Sequence, residues 1–177
     1  NPASSPPPPH QNPTMQNKAL FLDRDGTINV EKHYLYRIED FEFREGIFQL
    51  VGEFYSKGYL IFVVSNQAGI ARGYYREEDV VMLHHWMTAQ FRKKGIIITE
   101  VVWCPHYPAI SGECPCRKPR PGMILGLSEK YNVDRAASVL IGDKMSDIEA
   151  GLNAGIGTNW LVRETGKVTF ENVIVYK

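Results

Sequence analysis

The chain has 177 residues, of which 44% are hydrophobic, and its 20 basic and 20 acidic side chains give a formal net charge of zero. This length and composition predict one globular domain with a sizeable core. The balanced charge argues against a protein whose main partner is nucleic acid or an anionic membrane, because such proteins are usually basic. The most apolar run, residues 60–64, is far shorter than the roughly 18 residues that a membrane-spanning helix needs.

The first 16 residues are rich in proline and lack the basic-then-apolar order of a signal peptide, so they predict a disordered leader. Met15 stands just before the first predicted strand. We therefore interpret residues 1–14 as an expression-derived tail, which mass analysis of the native protein would test. Residues 17–177 are expected to form a single domain.

Strand and helix patterns alternate after the leader. Apolar runs predict strands at residues 18–22, 59–65, 100–104, 138–143 and 158–162. Helical spacing of apolar residues predicts helices near residues 47–54, 80–91, 123–131 and 146–154. Repeated strand–helix units predict an α/β fold whose central parallel sheet carries helices on both faces. The tail after residue 162 is expected to add an arm or a short edge strand.

Polar or metal-ligating residues end four of these strands: Asp23, Ser65, Cys104 and Asp143. In open parallel sheets, ligands bind beyond the carboxyl ends of the strands. We therefore expect these four side chains to converge on one edge.

The segment "DRDGT" follows the first strand and holds two aspartates one residue apart, Asp23 and Asp25. A buried carboxylate pair needs a compensating cation. Asp23 could both coordinate a hard cation and act as a nucleophile. The alternative is an ordinary Asp-Gly turn that ends a strand.

Further polar residues fit phosphoryl chemistry only when taken together. Asp147 follows Asp143 in "GDKMSD", Ser65 opens "SNQAGIARG", and Arg117 and Lys118 stand in "CRKPRPG". Taken singly, they also fit a charge at a helix N-terminus, a polar turn and a solvated loop. Taken together, strand-end aspartates would gather Mg²⁺ while a hydroxyl and a lysine face a tetrahedral oxyanion.

All three cysteines fall within 13 residues of one another and close to a histidine: Cys104, His106, Cys114 and Cys116. Three thiols and an imidazole suit tetrahedral Zn²⁺, and four protein ligands leave no open position for water, so the site is predicted to be structural. The alternative is free thiols beside a surface histidine. The odd cysteine number in one loop indicates a metal site in a reducing compartment, which predicts a cytoplasmic location.

The motifs together resemble the haloacid dehalogenase-like (HAD-like) phosphohydrolases, whose pattern is an aspartate pair, a Ser or Thr, a Lys and a terminal acidic pair. The segments "FLDRDGTIN", "IEDFEF", "SNQAGIARG", "CPH…CPCRKPRPGM" and "IGDKMSDIEAG" are similar to the D-glycero-D-manno-heptose 1,7-bisphosphate 7-phosphatases, and the similarity spans nearly all of residues 18–162. The resemblance implies a three-layer sandwich of the HAD-like Rossmannoid type, without a large cap domain and with a zinc-stabilised loop. It also implies removal of the 7-phosphate through an aspartyl-phosphate, in the synthesis of ADP- or GDP-heptose precursors for lipopolysaccharide or surface glycans.

The resemblance implies a role for each catalytic residue. Asp23 would attack phosphorus, and Asp25 would protonate the departing sugar oxygen and later deprotonate water. Mg²⁺ would be held by the carboxylates of Asp23 and Asp143 and by the backbone carbonyl of Asp25. Ser65 and Lys118 would stabilise phosphoryl oxygens, with Asp147 orienting Lys118.

Without a cap, loops are expected to select a small phosphorylated sugar. The candidate substrate contacts are Glu31, Lys32, His33, Tyr34, Asn66, Gln67, Ala68, Arg72, Arg117 and Lys144. The similar family usually has glycine where His33 stands.

Three alternatives stay open at this point. The chain also resembles histidinol-phosphate phosphatase domains, which share the zinc loop. A nucleic-acid-binding module is disfavoured by the zero net charge and the lack of interleaved aromatic and basic residues. A catalytically inactive scaffold is disfavoured because every expected catalytic position is filled. No large exposed apolar stripe is evident, which predicts a monomer. Both the α and the β anomer of the sugar stay open as substrates.

Overall fold

The computed structural model describes residues 15–177, so the interpretation of residues 1–14 lies outside the described part. Six strands are present: β1 Ala19–Leu22, β2 Leu60–Asn66, β3 Glu100–Cys104, β4 Val139–Gly142, β5 Thr158–Val162 and β6 Val173–Tyr176. Five α-helices accompany them: α1 Ile47–Ser56, α2 Glu77–Lys93, α3 Pro108–Ser111, α4 Gly122–Lys130 and α5 Met145–Asn153. Short 3-10 helices occupy Ile38–Asp40 and Arg135–Ala137.

The strands form one sheet in the order β3-β2-β1-β4-β5-β6. The first five strands in this order are parallel to their neighbours, and β6 pairs with β5 in the antiparallel direction. The five predicted strands are thus confirmed to within a residue or two at their ends. The tail supplies the edge strand β6, which gives the otherwise parallel sheet one antiparallel edge.

The side chains of β1 show how the sheet divides the core, because successive residues of a strand point to opposite faces. Leu20 and Leu22 lie in one cluster with the apolar faces of α1 and α2. Ala19 and Phe21 lie in a second cluster with α4 and α5. All four β1 residues are fully buried, so the strand reads as a continuous apolar run. The result is the expected three-layer α/β sandwich.

The loops after β1 and β2 lie at the carboxyl edge of the sheet. Residues 23–46 contain only loop, isolated bridges and one 3-10 helix, and residues 67–76 contain only loop. The carboxyl edge is therefore flanked by loops rather than by a domain. No helix among residues 15–177 is both long and apolar enough to cross a membrane.

Candidate active site

Three carboxylates meet at the carboxyl edge of β1 and β4. These strands are neighbours with Leu22 opposite Ile141, and the backbone N–H of Asp23 donates to the carbonyl of Ile141 at 3.0 Å. This pairing places the residues that follow the two strands side by side. Oxygens of Asp23, Asp143 and Asp147 lie within 4.8 Å of one another. The structure thus brings Asp23 together with two acidic residues that are more than 100 positions away in the chain.

The carboxylate cluster fits a hard divalent cation. Asp143 Oδ1 is buried and has no hydrogen-bond partner among residues 15–177. Gly26 keeps this site open: a Cβ at that position would lie 2.1 Å from Asp143 Oδ2. Carboxylate oxygens are the ligands that Mg²⁺ prefers, and bound metal would satisfy the orphaned oxygen.

Lys118 is buried among the acidic groups and bridges two of them. Its Nζ lies 2.7 Å from Asp23 Oδ1 and 2.6 Å from Asp147 Oδ1, and it also donates to the Val64 carbonyl at 2.9 Å. Burial opposes the charge of Lys118, but Asp147 and Asp23 raise its pKa above the ordinary value. Burial and the neighbouring Asp147 raise the pKa of Asp23 despite the attraction of Lys118. One ammonium group therefore does not fully compensate the cluster.

Asp25 is held by donors on both of its oxygens. Arg24 donates to Oδ1 and Oδ2 at 2.9 and 3.0 Å, Asn29 donates to Oδ1 at 3.0 Å, and Gln67 donates to Oδ2 at 3.0 Å. Burial opposes ionisation of Asp25, but the charge of Arg24 and these hydrogen bonds together lower its pKa. Asp25 is thus an ionised, oriented carboxylate two residues after Asp23 in the chain.

Ser65 lies on β2 and is connected to Asp25 through Gln67. The amide Nε2 of Gln67 donates to Ser65 Oγ at 2.7 Å, and its Oε1 accepts from the hydroxyl of Tyr75 at 2.5 Å. Ser65 keeps its own O–H proton as a donor. Gln67, which the sequence suggests as a substrate contact, is only 2% exposed and also fixes two catalytic candidates.

A cleft of about 450 Å³ opens above these residues. It is lined by the catalytic candidates Asp23, Asp25, Lys118 and Asp147. Eight of the candidate substrate contacts also line it: Glu31, His33, Tyr34, Asn66, Gln67, Ala68, Arg117 and Lys144. Tyr75, Pro119 and Ser146 line it as well, and no sequence motif indicates these three residues as substrate contacts.

Two candidate substrate contacts do not line this cleft. Lys32 pairs with Glu42, at 3.4 Å between Nζ and Oε2. Arg72 stacks with its guanidinium carbon 4.2 Å from the centre of the Tyr107 ring. Both side chains are engaged by neighbouring residues rather than pointing into the cavity.

His33 and Tyr34 adopt an uncommon backbone conformation at the mouth of the cleft. Their φ angles are 49° and 55°, in the left-handed region that glycine enters more easily. The Tyr34 ring packs edge-on against Tyr74 at 4.7 Å, and the Arg72 guanidinium lies 5.6 Å from the centre of the Tyr34 ring. At His33, where the similar family usually has glycine, the backbone N–H donates to Glu31 Oε1 at 2.8 Å.

The cysteine loop converges as the sequence predicts. Ligand atoms of Cys104, His106, Cys114 and Cys116 all lie within 4.8 Å of one another. The Sγ of Cys104 lies 3.4 Å from His106 Nδ1 and 3.5 Å from Cys114 Sγ. Three sulfurs and one nitrogen around one point match a tetrahedral zinc site. Arg117 Nη1 donates back to the His106 carbonyl at 3.2 Å, which joins the loop to the cleft.

Comparisons with known proteins agree with this geometry. Residues 115–169 match a family model described as HAD-hydrolase-like. The chain is 50% identical over 153 residues to the D-glycero-alpha-D-manno-heptose-1,7-bisphosphate 7-phosphatase of Campylobacter jejuni, covering 86% of this chain and 87% of the relative. It is 41% identical over 162 residues to the D-glycero-beta-D-manno-heptose-1,7-bisphosphate 7-phosphatase of Haemophilus ducreyi, covering 89% of each.

A solved structure also matches the fold of this chain. The crystal structure of D,D-heptose 1,7-bisphosphate phosphatase from B. bronchiseptica, complexed with magnesium and phosphate, matches with a TM-score of 0.75 and 29% identity. The match covers 82% of this chain and 80% of that chain.

Proposed function

The chain belongs to the heptose-1,7-bisphosphate 7-phosphatases, a family of HAD-like hydrolases, and from this premise we propose that it removes the 7-phosphate of D-glycero-D-manno-heptose 1,7-bisphosphate. It is a Mg²⁺-dependent phosphomonoesterase. The observation that carries the proposal is the meeting of Asp23, Asp143 and Asp147 around Lys118 at the base of an open cleft. The product fits the family's place in making heptose precursors for surface glycans.

Asp23 is proposed as the nucleophile. Lys118 holds Asp23 Oδ1 at 2.7 Å, which orients the carboxylate towards the cleft. Mg²⁺, held by the carboxylates of Asp23 and Asp143 and the backbone carbonyl of Asp25, would supply charge neutralisation and Lewis acidity at the phosphoryl group. An aspartyl-phosphate on Asp23 would divide the displacement into two steps.

Asp25 is proposed to move protons in both steps. In the first step it would give the departing sugar oxygen a proton that the carboxylate has first taken up from solvent, and in the second it would take a proton from the attacking water. The second task matches the resting structure, because Asp25 is held as a carboxylate by donors on both oxygens.

Ser65 and Lys118 are proposed to stabilise the phosphoryl oxygens, although their hydrogen bonds in the resting structure differ. The Ser65 hydroxyl proton can turn to a substrate oxygen. Lys118 already donates to three protein acceptors, which are Asp23, Asp147 and Val64. An ammonium group has only three protons, so Lys118 would contact phosphate by exchanging one of these partners.

The cleft is proposed to bind the second phosphate of the substrate through its basic residues. Arg117 and Lys144 line it, and Arg117 is tied to the zinc loop through His106. Zinc held by Cys104, His106, Cys114 and Cys116 would thus be structural and would fix the position of Arg117. Lys32 and Arg72 would support the surrounding loops rather than contact the sugar.

The experiment that tests this function compares kcat/KM for the heptose bisphosphate in both anomeric forms with kcat/KM for histidinol phosphate. The bisphosphate should be preferred, since a cleft with two extra cations suits a substrate with two phosphates. Preference for histidinol phosphate would select the alternative function. Both anomers are included because the relatives carry both anomer names.

We also propose that the protein is a monomer of one domain, residues 17–177, that works in the cytoplasm. The support is that one sheet runs through these residues, and that the thiols of the cysteine cluster are all free to bind metal. A reducing compartment keeps such thiols available. Light scattering of the zinc-loaded protein would test the monomer, and a dimer mass would contradict it.

A further inference from the structure

Arg24, between the two catalytic aspartates, is fully buried and does not line the cleft. Its guanidinium contacts three groups. Nε and Nη2 donate to Asp25, Nη2 also donates to the Leu35 carbonyl at 2.8 Å, and Nη1 lies 3.1 Å from Nε2 of His84. A buried arginine carries only donors, so each of these partners must accept.

His84 is the acceptor that comes from outside the catalytic loops. It lies on α2 with only 4% exposure, and its ring packs edge-on against Trp103 of β3 at 5.2 Å. Since Nε2 accepts from Arg24, the proton of the neutral ring must be on Nδ1. Burial and the charge of Arg24 lower the pKa of His84 to about 3, so the ring stays neutral and able to accept.

Two side-chain amides also donate to the Asp25 carboxylate. Asn29 donates to one carboxylate oxygen and Gln67 to the other. Arg24 donates hydrogen bonds to both of these oxygens. If the guanidinium turned, the carboxylate would lose the only ion-pair partner it has among residues 15–177. The orientation of Asp25 therefore depends on what holds Arg24.

We propose that His84 and Arg24 are positioning residues that hold the Asp25 carboxylate in the orientation from which it takes the proton of the attacking water. The inference deepens the proposed function and rests on it. Neither residue reaches the cleft, so both act through Asp25. His84 fixes Arg24, and Arg24 fixes the carboxylate.

The test uses 4-nitrophenyl phosphate, because its good leaving group needs no proton. For this substrate kcat/KM reports formation of the aspartyl-phosphate, while kcat reports its hydrolysis, the step that needs Asp25 as a base. His84→Leu removes the acceptor for Arg24. It should lower kcat about tenfold and change kcat/KM by less than about twofold. A pre-steady-state burst of nitrophenolate should accompany the loss.

Two matched variants control for indirect effects. His84→Gln can return an oxygen to the Nε2 position and should restore kcat to within about threefold of wild type. His85→Leu changes the neighbouring exposed histidine of the same helix and should leave both constants unchanged. If His84→Leu does not fold, His84→Asn removes the same acceptor, because its amide ends short of Nε2, and the same loss of kcat is expected.

A parallel fall of kcat and kcat/KM without a burst would overturn the proposal, because it would indicate a general structural defect. Unchanged kinetics in His84→Leu would overturn it as well. A wild-type protein that hydrolyses the aryl phosphate but not the heptose bisphosphate would refute the proposed substrate and leave the positioning role measurable. A wild type inactive on both would refute both.

Discussion

Replacing Asp23 by asparagine should have opposite effects on the activity and on the stability of the protein. The variant loses the nucleophile, so turnover should fall by about a thousandfold or more while the fold survives. The same change removes one of three mutually repelling carboxylates, of which Asp23 and Asp147 are buried and Asp143 is half-buried. We therefore expect the inactive variant to be more stable than wild type when no metal is bound.

The magnitude follows from the distances. With an effective dielectric constant of about 20, a like charge at 4.8 Å costs about 3.5 kcal/mol, and Asp23 faces two carboxylates no farther away than that. The attraction to Lys118 at 2.7 Å returns about 6 kcal/mol. These contributions nearly cancel, and the desolvation of a buried carboxylate remains as a net cost. The variant should gain about 1–3 kcal/mol in unfolding free energy, or about 2–12 °C in Tm for a chain of this size.

The assay is thermal unfolding followed by circular dichroism at neutral pH, in chelator and in Mg²⁺. In chelator the variant should unfold at the higher temperature, whereas Mg²⁺ should raise the Tm of wild type more than that of the variant. The pH dependence has a defined sign. Because the folded-state pKa of Asp23 is raised above 3.8, ionisation destabilises the fold. The stability difference should therefore be small near pH 3.8 and should grow as pH rises through the raised pKa.

A lower Tm for Asp23→Asn in chelator would refute this reasoning. It would mean that the Lys118 attraction outweighs both repulsion and burial. Substantial remaining activity in the variant would refute the covalent route itself.

The remaining predictions concern metals and substrate. Cys114→Ala should lower bound zinc, measured by atomic absorption, together with activity; activity that persists without zinc would contradict the role of the loop in placing Arg117. Arg117→Met should raise KM for the bisphosphate about tenfold with little change in kcat, whereas Arg135→Met, at an exposed position, should change neither; a loss confined to kcat would argue against a binding role. Chelation of Mg²⁺ should stop phosphate release reversibly, and activity that survives complete chelation would contradict the proposed metal site.

The parts of the site that follow strand ends were predictable from the sequence. Apolar runs place Asp23 and Asp143 after buried strands, and the parallel sheet then brings them to one edge. The cysteine spacing similarly predicts the cluster with His106. In both cases a local pattern and a general rule of topology are sufficient.

The network behind the site was not predictable in the same way. In the sequence, Arg24 is a charged residue between two aspartates, and nothing in the pattern indicates burial. The structure shows that Arg24 is fully buried against His84. Gln67 reads as a loop residue, yet it connects Ser65, Asp25 and Tyr75. The pairs Arg24–His84 and Gln67–Asp25 join residues that are distant in sequence, whereas Ser65 and Tyr75 are close to Gln67 in the chain. All of these pairings depend on side-chain rotamers, which carry no periodic signal. The one hint is chemical: if Arg24 is buried, its five N–H donors need acceptors nearby.

The most direct test of the assigned function is ³¹P NMR of D-glycero-D-manno-heptose 1,7-bisphosphate incubated with the protein and Mg²⁺. We expect the ester signal of the 7-phosphate to disappear as inorganic phosphate grows, while the signal of the anomeric phosphate persists. Loss of the anomeric phosphate first, or no release from either anomer, would contradict it.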